Sequence, residues 1–146
     1  MATRTAHAVW DGDLKRGRGS ISLGENGTNL PYNFASRFLT GPGTNPEELV
    51  AGAHAGCFSM AFAHELVEAG YPPTQVATTA RVHLEKSSDG FAIPRIDLET
   101  EADVPNVDDQ TFQLVARAAK ENCPLSRLLA AAQITLHARL LSHQRA

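Results

Sequence analysis

Cysteine is scarce in this chain. There are two in 146 residues, Cys57 and Cys123, set 66 positions apart. A disulfide-stapled secreted scaffold of this size would carry more. A structural metal site needs closely spaced ligand pairs, and neither cysteine has a second one nearby. A strong excess of charge of either sign is also lacking: the formal net charge is −3, and the basic residues are scattered apart from Lys15, Arg16 and Arg18. That removes the electrostatic case for nucleic acid or an anionic membrane surface as partner. No apolar run is long enough to span a bilayer, and the opening MATRTAHAVWDGD has no apolar signal-peptide core. Repeats, linkers and low-complexity tracts are absent as well. The expectation is one domain, 1–146, soluble and cytoplasmic, with its thiols reduced unless chemistry oxidises them. Two such thiols are either inert and buried, as free cysteine often is, or a reacting pair.

What is present reads as an α+β chain. Ala6–Trp10 and Gly19–Leu23 are short strands separated by the Gly-rich turn DGDLKRGRG, and a third strand is expected over Leu30–Phe38. The breaker segment TGPGTNP precedes a helix capped by Thr44 or Asn45, with Pro46, Glu47 and Glu48 in its first turn. The helix is expected to run to about Ala69, stopped by Gly70-Tyr71-Pro72-Pro73. It is apolar nearly all round (Leu49, Val50, Ala53, Phe58, Met60, Phe62, Leu66), as a centrally buried helix is. Gln75–Lys86 and Phe91–Ala102 alternate as strands around the turn Ser87–Gly90. A second helix starts at Val107-Asp108-Asp109 and ends near Asn122; a short third one runs from Pro124 through Leu129; Gln133–Leu141 closes as a strand. The order predicts a largely antiparallel sheet wrapped on buried helices.

The chemistry turns on how a thiol becomes a thiolate, which takes a nearby cation, a base or helix N-terminal amides. Cys123 directly precedes Pro124 at the start of the short helix, where amides would favour an anionic sulfur. Cys57 lies deep in its helix and needs an imported cation. Arg16 and Arg37 are candidates; each could equally be a solvated surface charge. Glu47 suits a helix first turn, and its carboxylate could also hold an arginine in fixed orientation. Ten residues of straight helix separate it from Cys57, roughly 15 Å, so an arginine must bridge the two or Gly52 and Gly56 must break the helix. His54, three residues before Cys57 on the same face, is either half of a Cys–His pair or a packed histidine with a buried partner; the second is favoured. His64, His83 and His137 have no metal-ligand grouping.

The segment GTNPEELVAGAHAGCFSMA (Gly43–Ala61) resembles the signature of the OsmC/Ohr family, the osmotically inducible and organic-hydroperoxide-resistance proteins. Cys123-Pro124-Leu125-Ser126 resembles its C-P-x-S element. Ala8–Gly19 and Pro31–Phe38 resemble the OsmC branch in particular, and the similarity runs in matching order along almost the whole chain. The resemblance implies antiparallel sheets around long buried central helices, an intertwined homodimer with active sites at the subunit interface, and no cofactor. It implies a stress-response peroxidase reducing organic hydroperoxides to alcohols and recycled by a dithiol, lipoyl or another thiol system. Position by position it makes Cys57 the peroxidatic cysteine, Cys123 the resolving one and Glu47 the active-site glutamate. The arginine is Arg37 in the OsmC branch or, in the other branch, Arg16; Arg37 is preferred. The implied steps are attack of a Cys57 thiolate on the peroxide, a sulfenic acid, and a Cys57–Cys123 disulfide. Phe34, Phe38, Phe58 and Met60 would wall an apolar substrate site. Two other classes remain open: a dimer that binds hydrophobic ligands without turnover, and a Cys–His hydrolase using His54.

Overall fold

The computed structural model describes residues 1–141. The chain divides into two compact units, Met1–Leu49 and the chain from Val50 onward. The first is a three-stranded antiparallel sheet of β1 (Ala6–Asp11), β2 (Arg18–Leu23) and β3 (Asn29–Tyr32), in that spatial order, followed by the short helix α1 (Phe34–Phe38). The β1–β2 turn is closed by Asp13, whose carbonyl accepts from Gly17 N at 2.8 Å and whose carboxylate accepts from Arg16 N at 2.6 Å. Gly19 pairs with Trp10 on one side and Tyr32 on the other. A Cβ there would lie 2.6 Å from the Tyr32 ring and 2.7 Å from the Trp10 ring. Glycine is what lets those two rings approach to 5.3 Å between centroids.

The strand expected over Leu30–Phe38 stops at Tyr32. Asn33 ends it with a capping box: its side chain accepts from Ser36 N at 2.8 Å, and Ser36 Oγ accepts from Asn33 N at 2.9 Å. Two orphan amides satisfied reciprocally favour a helical turn over continued pairing. Pro31, which has no N–H to donate, sits where a strand tolerates it, on the sheet edge.

Helix α2 (Pro46–Glu68) is long and unbroken. Asn45 is its cap, accepting from Glu48 N at 2.7 Å, while Thr44 Oγ1 donates to the Glu48 carboxylate at 2.7 Å. The second unit contains most of α2, the hairpin of β4 (Gln75–Ser87) and β5 (Gly90–Asp103), then α3 (Asp109–Asn122), α4 (Pro124–Leu128) and β6 (Gln133–Leu140). Strand β5 pairs antiparallel with β4 and parallel with β6. Parallel neighbours require a crossover connection, which α3 and α4 supply. Pro94, in the central strand, falls where the β4–β5 register shifts and so removes no ladder bond.

The core of this unit is built by Phe58, Phe62 and Leu66 of α2, Leu98 and Ala102 of β5, and Phe112, Ala116 and Ala119 of α3. The Phe62 and Phe112 rings lie 5.2 Å apart. Burying each large side chain here contributes on the order of 2 kcal/mol. Within one chain, His54, Phe58, Phe62 and Leu66, four residues apart, form the buried stripe of α2, while Met60 is 76% and Val67 50% exposed. No described helix is long and apolar enough to cross a membrane.

Candidate active site

Helix α2 presents Cys57 one turn after His54, and the α3–α4 junction presents Cys123 against it. Both thiols are free, Cys123 buried and Cys57 partly so. Cys123 Sγ donates to Cys57 Sγ at 3.2 Å. The local sequence explains the placement. Cys123 ends α3 and stands at the cap position of α4, with Pro124 as first helical residue. Proline is pre-set for that position and has no amide to offer. The next amide, that of Leu125, is placed to favour an anionic Cys57 sulfur. The amide expected to serve Cys123 therefore serves Cys57 instead, and the Cys123 side chain makes no capping bond of its own.

Burial pushes the Cys57 thiol above its ordinary value. The Leu125 N–H pulls it down, and Cys123 adds to the rise. On balance the surroundings in this unit favour the thiol form of Cys57, with the Leu125 N–H placed to favour the anion.

His54 is fully buried, and its Nε2 lies 2.9 Å from Ser126 Oγ. Its Nδ1 has no partner among the described residues. It is the packed histidine of the favoured expectation, and burial holds its imidazole below the ordinary value. The serine of the C-P-x-S element is that partner. Sequence spacing gave no sign of the pairing, because 72 positions separate the two residues.

The first unit supplies a charged constellation. Arg37, in the last turn of α1, forks onto Glu47: Nη2 donates to Oε1 at 2.8 Å, and Nε donates to Oε1 at 3.2 Å and Oε2 at 3.3 Å. The side chains are 34% and 9% exposed, so the carboxylate is the buried anchor and the guanidinium the accessible end. A two-pronged fork fixes the plane of the cation as well as its position. The guanidinium carbon also sits 5.2 Å from the centre of the Phe38 ring. Arg37 lines a cleft of about 360 Å³ with Trp10, Leu14, Tyr32, Phe34 and Phe38.

Of the expected apolar wall, Phe34 and Phe38 stand in this cleft. Phe58 is a fully buried core residue and Met60 lies open on α2. Arg16 is an exposed turn residue with no ion pair among the described residues. The structure brings Cys57 to Cys123 and Arg37 to Glu47. Leu125 and Ser126 are the residues that reasoning on side-chain types left out.

The OsmC-like protein family model matches residues 39–137. Over 140 residues the chain is 47% identical to peroxiredoxin OsmC of Escherichia coli K12, covering 95% of this chain and 97% of the other. It is 38% identical over 90 residues to an organic hydroperoxide resistance protein-like protein of Mycoplasma pneumoniae, covering 58% of this chain and 59% of that one. Among solved structures, the organic hydroperoxide resistance protein OhrB of Bacillus subtilis superposes with a TM-score of 0.66 at 25% identity, covering 94% of this chain and 98% of that one. An OsmC-like protein of unknown function from Vibrio cholerae reaches a TM-score of 0.75 at 15% identity, with coverages of 94% and 99%, a likeness of fold. With its two thiols apposed and this kinship along nearly its whole length, the chain belongs to the OsmC-like protein family.

Proposed function

We propose that this protein is a cytoplasmic thiol peroxidase that reduces organic hydroperoxides to alcohols, with Cys57 peroxidatic and Cys123 resolving. The observation that carries the reading is the 3.2 Å apposition of the two sulfurs, with the Leu125 amide on Cys57. The Cys57 thiolate attacks one peroxide oxygen. The O–O bond breaks, the leaving alkoxide takes a proton and departs as alcohol, and Cys57 is left as sulfenic acid. The Cys123 thiol then attacks the Cys57 sulfur, the S–O bond breaks and water leaves as the disulfide forms. A dithiol such as a lipoyl group returns both cysteines to thiols by exchange.

Arg37, oriented by Glu47, is the cation in this reading. It favours the thiolate and stabilises charge growing on the leaving oxygen. Arg16 is the lesser candidate. The aromatic cleft beside Arg37 supports a preference for an organic group over hydrogen peroxide. The active form is a homodimer in this reading, because Met60 and Val67 on α2 are left exposed among the described residues. The expected interface exceeds roughly 2,000 Å², the size at which obligate interfaces begin. Sedimentation as a stable active monomer would end that part of the reading.

The deciding assay is turnover of cumene hydroperoxide against hydrogen peroxide with lipoyl, thioredoxin and simple dithiols as reductants. Dithiol-dependent consumption with preference for the organic peroxide is expected. A ligand-binding dimer would consume neither. The hydrolase alternative is weakened by His54, whose Nε2 is engaged by Ser126.

A further inference from the structure

Helix α2 and the start of α4 meet through two rungs of equal spacing. On α2 the contacting residues are His54 and Cys57, three apart; on the other side they are Ser126 and Cys123, also three apart. One rung is the 2.9 Å bond between His54 Nε2 and Ser126 Oγ, and the other is the 3.2 Å contact of the two sulfurs. Residues three apart on a helix share a face, so the position of one rung dictates the other.

Besides this rung, α4 is held by Leu125, packed on the core, and by exposed Arg127, whose side chain donates to Glu121 O and Asn122 Oδ1, each at 3.3 Å. The helix has five residues, its cap side chain makes no bond, and its first residue is a proline. A helix that short has almost no intrinsic stability. The histidine–serine rung is buried on both sides, His54 fully and Ser126 to 7% exposure. A buried polar pair of this kind is costly to break, because each partner left alone has no water to turn to. His54 does not have the arrangement of a base for Cys57: one ring nitrogen is occupied by Ser126 and the other has no partner among the described residues.

We propose that His54 and Ser126 are positioning residues for the resolving step. Their hydrogen bond sets how the Cys123–Ser126 turn docks on α2, and with it the approach of Cys123 to the Cys57 sulfenate and the reach of the Leu125 amide. The inference rests on the assignment of Cys57 and Cys123 made above. It accounts for the serine of the Cys-Pro-Leu-Ser run and the histidine of the Ala-His-Ala-Gly-Cys run as one device.

The test separates the two half-reactions. Ser126→Ala, the nearly isosteric pair Ser126→Val and Ser126→Thr, and His54→Leu are mixed rapidly with one equivalent of cumene hydroperoxide. Cys57 oxidation, disulfide formation, dimedone-trapped sulfenate and thermal midpoint are followed. Loss of the hydroxyl in Ala or Val is expected to slow disulfide formation about tenfold, the order expected from one lost hydrogen bond. Trapped sulfenate and sulfinate should rise, and peroxide attack on Cys57 should fall several-fold less. Threonine, which keeps the hydroxyl, should restore resolution. Should Ala fold poorly, the Val and Thr pair carries the comparison.

Resolution at the wild-type rate in folded Ser126→Val and His54→Leu would overturn the proposal. So would equal loss of both steps tracking the thermal midpoint, with no rescue by threonine. If the unmutated protein oxidises at Cys57 but never joins it to Cys123, the thiol assignment fails first and takes this proposal with it.

Discussion

Two polar constellations among the described residues are opposites. Arg37 and Glu47 are both charged, joined by a two-pronged bond, with one end anchored in the interior and the other accessible. Cys57 and Cys123 are packed against apolar neighbours, and burial raises the Cys57 pKa. The charged pair has field but no thiol; the thiol pair has the proposed nucleophile and the Leu125 amide to favour its anion. The contrast teaches that, in the proposed mechanism, reactivity is divided. The environment that holds the two sulfurs together also disfavours the ionised form of Cys57, so that mechanism takes its cation from elsewhere in the sequence.

The sharpest way to break the comparison is to remove the nucleophile. Cys57→Ser is expected to reduce peroxide turnover to background, whereas Cys123→Ser should react once and then stall as sulfenate or proceed to sulfinate. Mass spectrometry after a single addition of peroxide distinguishes them, and equal loss of the first step in both would refute the division of labour. Next in size is the cation. Arg37→Met should raise the Cys57 pKa and lower the rate at neutral pH by on the order of a hundredfold, with incomplete recovery at alkaline pH. Thiolate absorbance titrations of Arg37→Met and Arg16→Met decide between the arginines: a larger rise in the Arg16 variant would transfer the role. Glu47→Gln should cost less, roughly tenfold or about 1.4 kcal/mol of barrier, because it loosens the guanidinium without removing it. A loss as large as that of Arg37→Met would mean the carboxylate itself takes part.

The smallest effect concerns His54. Its folded-state pKa lies below the ordinary 6.5, so the native state binds fewer protons than the unfolded chain. Its contribution to stability is full above about pH 6.5 and is lost as pH falls from there through the depressed value. Denaturant titrations from pH 7.5 down to 5 should show a decline that His54→Gln flattens; parallel curves would assign the decline to other groups.

Much of this was legible beforehand because the signals were local. Proline and acids opening α2, the Ser87–Gly90 turn, and proline after Cys123 each act within a few residues, and the elements start and stop where those signals stand. The run Leu30–Phe38 misled because its apolar residues fit a strand as well as a helical turn; the Asn33–Ser36 capping pair was the overlooked cue. Glu47 holding an arginine was foreseeable from charge and from the resemblance. The backbone donor on Cys57 was hidden, since an amide carries no mark in sequence. So were the parallel seating of β6 and the pairing of His54 with Ser126, which depend on contacts between distant segments.

The sulfurs also sit at the two ends of a long stretch of chain. Between Cys57 and Cys123 lie the rest of α2, the whole β4–β5 hairpin and α3. A covalent bond between them closes a loop over a sequence separation of 66 residues. In the unfolded chain that ring removes conformational freedom equivalent to about 4 kcal/mol by the chain-entropy account. Each catalytic cycle would then carry the protein from an open string to a closed ring and back. The oxidised form should be the harder one to unfold, and the reductant that restores the thiols also returns that slack to the chain.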